Sequence, residues 1–406
     1  MTTTSPRSGT DAPATAPPRA LVVLLAVACG ATVANLYYGQ PLLGEIAGAF
    51  GVGEGTAALV VTLTQLGYAA ALLLVLPTGD LVENRSLVTR VLLGTAAALA
   101  LAALAPSFWL FGLAAVLVGV TSVVAQILVP FAAHLAPEDA RGRVVGQVMS
   151  GLLLGILLAR TVASLVAEVL GWRAIYAISA VLMLVLAVVL RRVLPTRRPE
   201  HTAGYGSLLA TVVEIARTEP VLRARALCQG AIFGAFTAYW TAISYELHDE
   251  HGLSQAGIGV FALVGAAGAA AAPLGGRLAD GGRGRSASGL MLLLASLAVA
   301  AAGLGSAHLW VLALGGVLLD LAVQSHQVMA QQEIYALRPE ARARINTVFM
   351  GTVFLSGAAS SAVTGALHEA GGWAAVCWFG AALPLLGLAV WALRLRPGAG
   401  TATSVG

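Results

Sequence analysis

Four polar side chains, Asp320, Gln324, Gln327 and Gln331, interrupt the otherwise apolar stretch LLDLAVQSHQVMAQQEIYAL at residues 318–337. At 100° per residue on a helix they fall within about 40° of one line, so a single polar stripe runs down one face. His326 lies about 120° away and belongs to another surface. A second charge, Arg160, ends the run GLLLGILLAR at residues 151–160. A carboxyl can take up and release a proton, and a guanidinium can hold an anionic or polar group through its planar fork. If Asp320 and Arg160 face a common cavity they can pair, and pairing lowers the cost of burying either charge. A solute that competes for Arg160 while a proton neutralises Asp320 would then be linked to proton binding. The alternative is a static bridge that orders two helices.

These residues sit in an extreme composition. The chain has 406 residues, 58% of them hydrophobic and only 10% charged, with a mean hydropathy of +0.86. Soluble domains are roughly 25% charged. Apolar runs recur from residue 20 to residue 396, each close to the ~20 residues a helix needs to cross a ~30 Å hydrocarbon core. Lipid offers backbone groups no water, so each crossing must be a closed, hydrogen-bonded helix. The sequence predicts an all-α integral membrane protein with twelve transmembrane helices, at about 20–43, 56–77, 88–105, 109–132, 145–168, 174–194, 221–245, 256–276, 287–306, 309–335, 345–367 and 374–393. A carboxylate facing lipid near mid-membrane would cost several kcal/mol. Asp320 lies roughly 16 Å inside span ten at 1.5 Å per residue, so the stripe should face protein or water.

All 23 basic residues are arginine. Apart from Arg160 and Arg173 they fall on one side of this span pattern, which places both termini in the cytoplasm of a cell whose plasma membrane the chain crosses. The net charge of +4 sets topology and implies no nucleic-acid partner. Residues 1–18 (MTTTSPRSGTDAPATAPP) are Ser/Thr/Pro/Ala-rich and read as a disordered tail, as do residues 397–406. The acidic, histidine-bearing YELHDEHGL at 245–253 reads as a solvated external loop rather than a metal site. Cys29, Cys228 and Cys377 have no metal-ligand spacing and read as small packing residues. No metal, cofactor, nucleophile–base pair or phosphate-cradling loop is indicated, which argues against an enzyme or an ATP-driven pump.

The chain repeats itself at a fixed offset. PEDARGR at 137–143 is echoed by PEARAR at 339–344, and GWRAIY at 171–176 by GWAAVC at 372–377, with Arg141/Arg342, Gly171/Gly372 and Gln126/Gln327 each 201 residues apart. PTGDLVENR, with Asp80, is answered 200 residues later by GGRLADGGRGR, with Asp280. Two six-helix bundles, 19–194 and 221–396, joined by a polar linker at 195–220, follow from this.

Twelve spans, a 6+6 repeat and a G-x-x-x-D…R signature after spans two and eight resemble the major facilitator superfamily. NLYYGQPLL at 35–43, GLLLGILLARTVAS at 151–164 and the GWR after span five resemble its bacterial drug and metabolite efflux branch, which includes purine-nucleoside and sugar exporters. The resemblance implies a gating latch of Asp80 with Arg85 and Asp280 with Arg277. In the first copy Leu81 and Glu83 depart from the family pattern. It also implies that spans one, four, seven and ten line a central cavity. Asn35, Tyr38, Gln126, Gln229 and Trp240 are the candidates there beside Asp320, Arg160, Gln324 and Gln327, with Gln65 at the cavity edge. Glu45 and Glu168, near helix ends, rank below Asp320 as proton carriers. The implied function is a monomeric, proton-coupled secondary transporter that exports small organic compounds by alternating access. Uptake of a small polar metabolite is the alternative, since fold does not set direction.

Overall fold

The computed structural model describes residues 17–137, 140–196, 204–269, 276–278, 281–282 and 284–395, with Asp80, Ala269 and Glu340 described by backbone alone. The two predicted tails and the Asp280 half of the second latch therefore lie outside the described residues, except at positions 17 and 18. Among the described residues all regular structure is helical.

Nine described helices are long and apolar enough to cross a membrane. Two shorter apolar helices, Arg19–Ala34 and Gln255–Gly268, add two more rods. The last element, Arg342–Arg394, is two rods joined at Gly371 and Gly372, where Gly372 has φ +61°, a conformation that glycine adopts without strain. The rods are α1 Arg19–Ala34, α2 Glu54–Leu74, α3 Asn84–Leu104, α4 Phe108–Leu135, α5 Arg141–Leu170, α6 Arg173–Val193, α7 Pro220–Asp249, α8 Gln255–Gly268, α9 Gly284–Leu304 and α10 Leu309–Leu337. The limbs 342–370 and 373–394 are α11 and α12. Twelve alternating rods bring the chain back to the end at which it began, here called the terminal end. Leu and Val side chains are exposed along many of the rods (Val23, Leu154, Val181, Leu290, Leu386), as expected of helices bathed in lipid.

The repeat is visible in the packing. Gly67 of α2 sits so close to α4 that an added Cβ would lie 2.2 Å from the Val116 carbonyl oxygen. Gly268 of α8 approaches α10 in the same way, 2.3 Å from the Val317 carbonyl oxygen. Both pairs are 201 residues apart. Likewise α1 and α5 meet backbone to backbone, with an added Cβ on Gly155 falling 2.2 Å from the Gly30 oxygen. Small residues let membrane helices come this close, so dispersion contacts can replace the missing hydrophobic drive.

Two predicted features need correction. The predicted external loop is mostly helix, because α7 continues to Asp249. Tyr245, Glu246 and Leu247 are buried there. The first span is also not helical to residue 43. It stops at Ala34, runs through turns, and resumes as a 3₁₀ turn, Gln40–Leu42, followed by a short helix, Leu43–Phe50. Pro41 supplies the reason, since it has no N–H for the helical ladder. Within the predicted linker, residues Tyr205–Thr218 form an amphipathic helix. It is tied to the terminal end of α2 by the Tyr205 hydroxyl, which donates to the Leu74 carbonyl at 2.8 Å.

Candidate functional site

The interruption of α1 creates the centre of the site. It lays Tyr37 and Gln40 against Arg160 of α5, whose Nε donates to Gln40 Oε1 at 2.8 Å. The guanidinium is walled by aromatic rings, with its carbon 5.2 Å from the centroid of Tyr37, 5.2 Å from Phe236 and 4.4 Å from Trp240. Phe236 and Trp240 are one turn apart on α7 and so share a face. A cation over aromatic faces gains electrostatic stabilisation that grows as water is removed. Arg160 is only 2% exposed.

Trp240 also faces the other charge. Its Nε1–H donates to Asp320 Oδ2 at 3.0 Å. Asp320 is 2% exposed and is accommodated by glycines of α8. A Cβ on Gly265 would lie 3.3 Å from Asp320 Oδ2, and one on Gly268 would lie 2.7 Å from Asp320 Cβ. The two charges therefore do share one buried centre between the halves. They do not form an ion pair among the described residues. The indole stands between them, with its face to Arg160 and its edge to Asp320. Arg160 Nη2 and Gln40 Nε2 are buried without a protein hydrogen-bond partner, as are the hydroxyls of Thr161 and Thr241.

The other predicted site residues are dispersed. Gln65 of α2 donates to Thr237 Oγ1 of α7 at 3.5 Å, across the halves. Gln126 of α4 donates to the Tyr68 hydroxyl at 3.2 Å and accepts from Asn346 Nδ2 of α11 at 3.4 Å. Asn346 in turn accepts from the Tyr335 hydroxyl at 2.8 Å. Asn35 turns away from Arg160, toward α6, where it accepts from Ser179 Oγ at 2.6 Å. Tyr38 packs edge-on to Tyr176, with ring centroids 6.4 Å apart, and lines a groove of about 480 Å³ between α1 and α5. Gln324 and Gln327 are half-buried and make no side-chain hydrogen bond among the described residues. Gln229 stays inside the C-terminal half, its Oε1 2.6 Å from His326 Nδ1. His326 thus occupies a different face from the stripe, as its helical angle requires. Of the expected latch, Arg85 and Arg277 are described, whereas the side chains of their expected partners, Asp80 and Asp280, lie outside the described residues.

Sequence reasoning missed Tyr37, Gln40 and Phe236. Pro41 was the available signal, because a proline there breaks the helix and moves Gln40 out of helical phase. It also missed a second buried charge network nearer the terminal end. Arg225, 1% exposed, is ion-paired with Glu333 and donates to Ser288 Oγ at 2.6 Å, while Arg285 meets the same carboxylate at 2.7 Å. Such a pair is a poor source of net stability but costly to break.

The profile of the Major Facilitator Superfamily matches residues 22–228 and again 225–405. The uncharacterized transporter YgaY of Escherichia coli O157:H7 is 42% identical over 373 residues, covering 92% of this chain and 95% of that protein. The probable transporter SCO4007 of Streptomyces coelicolor is 33% identical over 384 residues, covering 94% and 89%. Among solved structures, a bacterial homolog of the human lysosomal transporter Spinster in an inward-facing, occupied conformation aligns with a TM-score of 0.73 at 15% identity, over 92% of this chain and 96% of that one. The human organic anion transporter MFSD10 aligns with a TM-score of 0.66 at 19% identity, over 92% and 100%. Those two likenesses concern the fold. With a profile that spans both halves and full-length relatives named as transporters, the chain belongs to the major facilitator superfamily and is a multi-pass membrane transporter.

Proposed function

We propose that the chain is a proton-coupled exporter of small organic compounds, working by alternating access, with Asp320 as the proton carrier and Arg160 as the anchor for an anionic or polar group of the solute. The observation that carries this reading is Trp240, which touches both charges: its indole N–H bonds Asp320 at 3.0 Å and its face lies 4.4 Å from the Arg160 guanidinium. A solute group that draws Arg160 off the indole disturbs the donor that Asp320 relies on. Binding at one charge is thereby felt at the other through a single side chain. The buried donors without partners, Arg160 Nη2 and Gln40 Nε2, are what an incoming acceptor would satisfy, since unpaired buried donors are costly. The one-sided arginines support cytoplasmic termini, and the likeness of residues 35–43 and 151–164 to the efflux branch favours export.

A panel of candidate solutes added to everted membrane vesicles carrying a pH-sensitive dye tests this. In acid-loaded vesicles, addition of a true substrate should release protons from the lumen. Solute entry with no dye response, in vesicles that hold their gradient, would overturn proton coupling. Uptake into intact cells driven by an inward proton gradient would overturn export.

A further inference from the structure

At the end opposite the termini the halves meet along two seams, α5 with α8 and α2 with α11. Each seam closes with the same device. Glu168, in the last turn of α5, accepts through Oε2 from the Ala256 N–H at 2.9 Å. Glu369, in the last turn of α11, accepts through Oε1 from the Gly55 N–H at 2.8 Å. Ala256 and Gly55 are the second residues of α8 and α2. Their amides are among those that a helix leaves without an internal acceptor, and the positive end of the helix favours a carboxylate there. Glu168 and Glu369 are 201 residues apart, as are Gly55 and Ala256, so the two caps are images of one another under the internal repeat.

The seams are built to let the caps form. A Cβ on Gly55 would lie 2.7 Å from the Glu369 carboxyl carbon, so glycine is what admits the acid. Just below, a Cβ on Gly365 would lie 2.7 Å from the Gly55 oxygen, and one on Gly259 would lie 2.7 Å from Ser164 Cβ. The α2–α11 seam also brings His368 Nδ1 to 2.9 Å from Glu54 Oε2, and neutral bonds continue each seam. Gln255 Nε2 donates to the Pro41 carbonyl at 2.7 Å, and Ser361 Oγ donates to the Ala58 carbonyl at 3.3 Å. Both charged caps bridge the two halves, so any state that parts the halves at this end must break both.

We propose that Glu168 and Glu369 are paired positioning residues for transport: two symmetric carboxylate latches that hold this end shut and set the balance between closing at this end and closing at the other. The proposal rests on membership of the family and not on which solute or ion is carried. The test uses the full chain in liposomes with Cys29, Cys228 and Cys377 replaced by serine. One reporter, Ala58→Cys, lies in the α2–α11 seam. A second, Leu73→Cys, lies near Gly351 across the halves at the terminal end. Glu168→Gln and Glu369→Gln keep the size of each side chain and remove its charge. Labelling of Ala58→Cys by a membrane-impermeant maleimide should rise about threefold with either change and about tenfold with both, the order expected for losing one or two charge–dipole caps. Labelling of Leu73→Cys should fall, with the melting temperature lowered by no more than about 2–4 °C. Glu168→Asp and Glu369→Asp, which keep the charge but shorten the reach, should behave like the glutamine variants. Unchanged labelling of Ala58→Cys in the double variant would overturn the latch. A rise at both reporters together would also overturn it, since that marks general loosening.

Discussion

Replacing Asp320 with asparagine separates proton carriage from packing. Asparagine matches aspartate in size, so it fits the clearance that Gly265 and Gly268 leave. It can still present an oxygen to the Trp240 indole, now 3.0 Å from the carboxylate. The structural loss is the difference between a hydrogen bond to a charged acceptor, about 1.5–3 kcal/mol, and a neutral one, about 0.5–1.5 kcal/mol. That is about 1 kcal/mol, partly offset because a buried charge is removed. A shift in melting temperature of no more than about 2–4 °C follows. The functional loss is of another kind. One proton moving down one pH unit supplies about 1.4 kcal/mol, enough to sustain roughly a tenfold solute gradient. Asp320→Asn should therefore collapse accumulation from about tenfold to about onefold in proteoliposomes with a one-unit pH step, while exchange of labelled for unlabelled solute continues. A variant that still accumulates solute tenfold would show that the proton travels elsewhere, and the Asp320 mechanism would have to be abandoned.

Arg160→Lys keeps the charge but loses the bond geometry to Gln40 and the close approach of the guanidinium to three rings. Solute affinity in counterflow should fall about tenfold or more, the scale of one charge-assisted bond, whereas wild-type affinity would mean that the site needs only a point charge. His326→Leu strands the Gln229 amide, which now lies 2.6 Å from the ring. It should cost about 1–3 kcal/mol of stability with the proton-to-solute ratio unchanged, and an altered ratio would bring His326 into the proton path. Glu45, in the short helix beyond the first span, has its carboxyl held above the ordinary range by burial, with the nearby charge of Glu168 adding to the effect. The folded state thus binds this proton more tightly than the unfolded state, and its stability falls as pH rises through the window above the ordinary carboxylate value. Glu45→Gln should raise the melting temperature at neutral pH and leave it unchanged at pH values below that window; a gain of equal size at both would rule out titration as its source.

The parts legible from sequence were those that lipid or symmetry enforces. Twelve spans follow from hydropathy because an unpaired backbone cannot sit in hydrocarbon. The repeat was visible in Gly171/Gly372 and Arg141/Arg342 because equivalent turns need equivalent residues. Asp320 and Arg160 announced themselves because a charge inside a membrane helix requires company. What failed was direction around a broken helix. Asn35 and Tyr38 stand in a predicted span that runs on to residue 43, but the chain leaves the helix after Ala34, so Tyr37 and Gln40 face Arg160 instead. Trp240 was found as a cavity aromatic. Its bond to Asp320 depends on the distance between α7 and α10, which no local pattern encodes. Glu168 is exposed at a helix end, as its position in the sequence implies, but that the opening turn of α8 lies against it comes only from the fold.

The symmetry also explains why the carboxylate can exist at all. The repeat partner of Asp320 is Gly119, and the partner of Gly265 is Thr64, each 201 residues away. In the N-terminal half α2 carries the larger residue and α4 the glycine, so close that a Cβ on Gly119 would lie 2.1 Å from the Thr64 carbonyl oxygen. In the C-terminal half the sizes are exchanged, with glycine on α8 and aspartate on α10. The α2 backbone thus bars any side chain at 119, whereas α10 stands far enough from α8 to admit Asp320 as long as α8 carries glycine. Gly265→Thr should then crowd the site, because even its Cβ would lie 3.0 Å from the Trp240 ring and 3.3 Å from Asp320 Oδ2. Overpacking of this kind costs about 1–3 kcal/mol. Adding Asp320→Gly restores the size pattern of the N-terminal half and should return the melting temperature toward the wild type, while coupled transport stays lost. If the double change is no more stable than Gly265→Thr alone, the crossing does not trade one side chain for the other, and the room around Asp320 must come from some other contact.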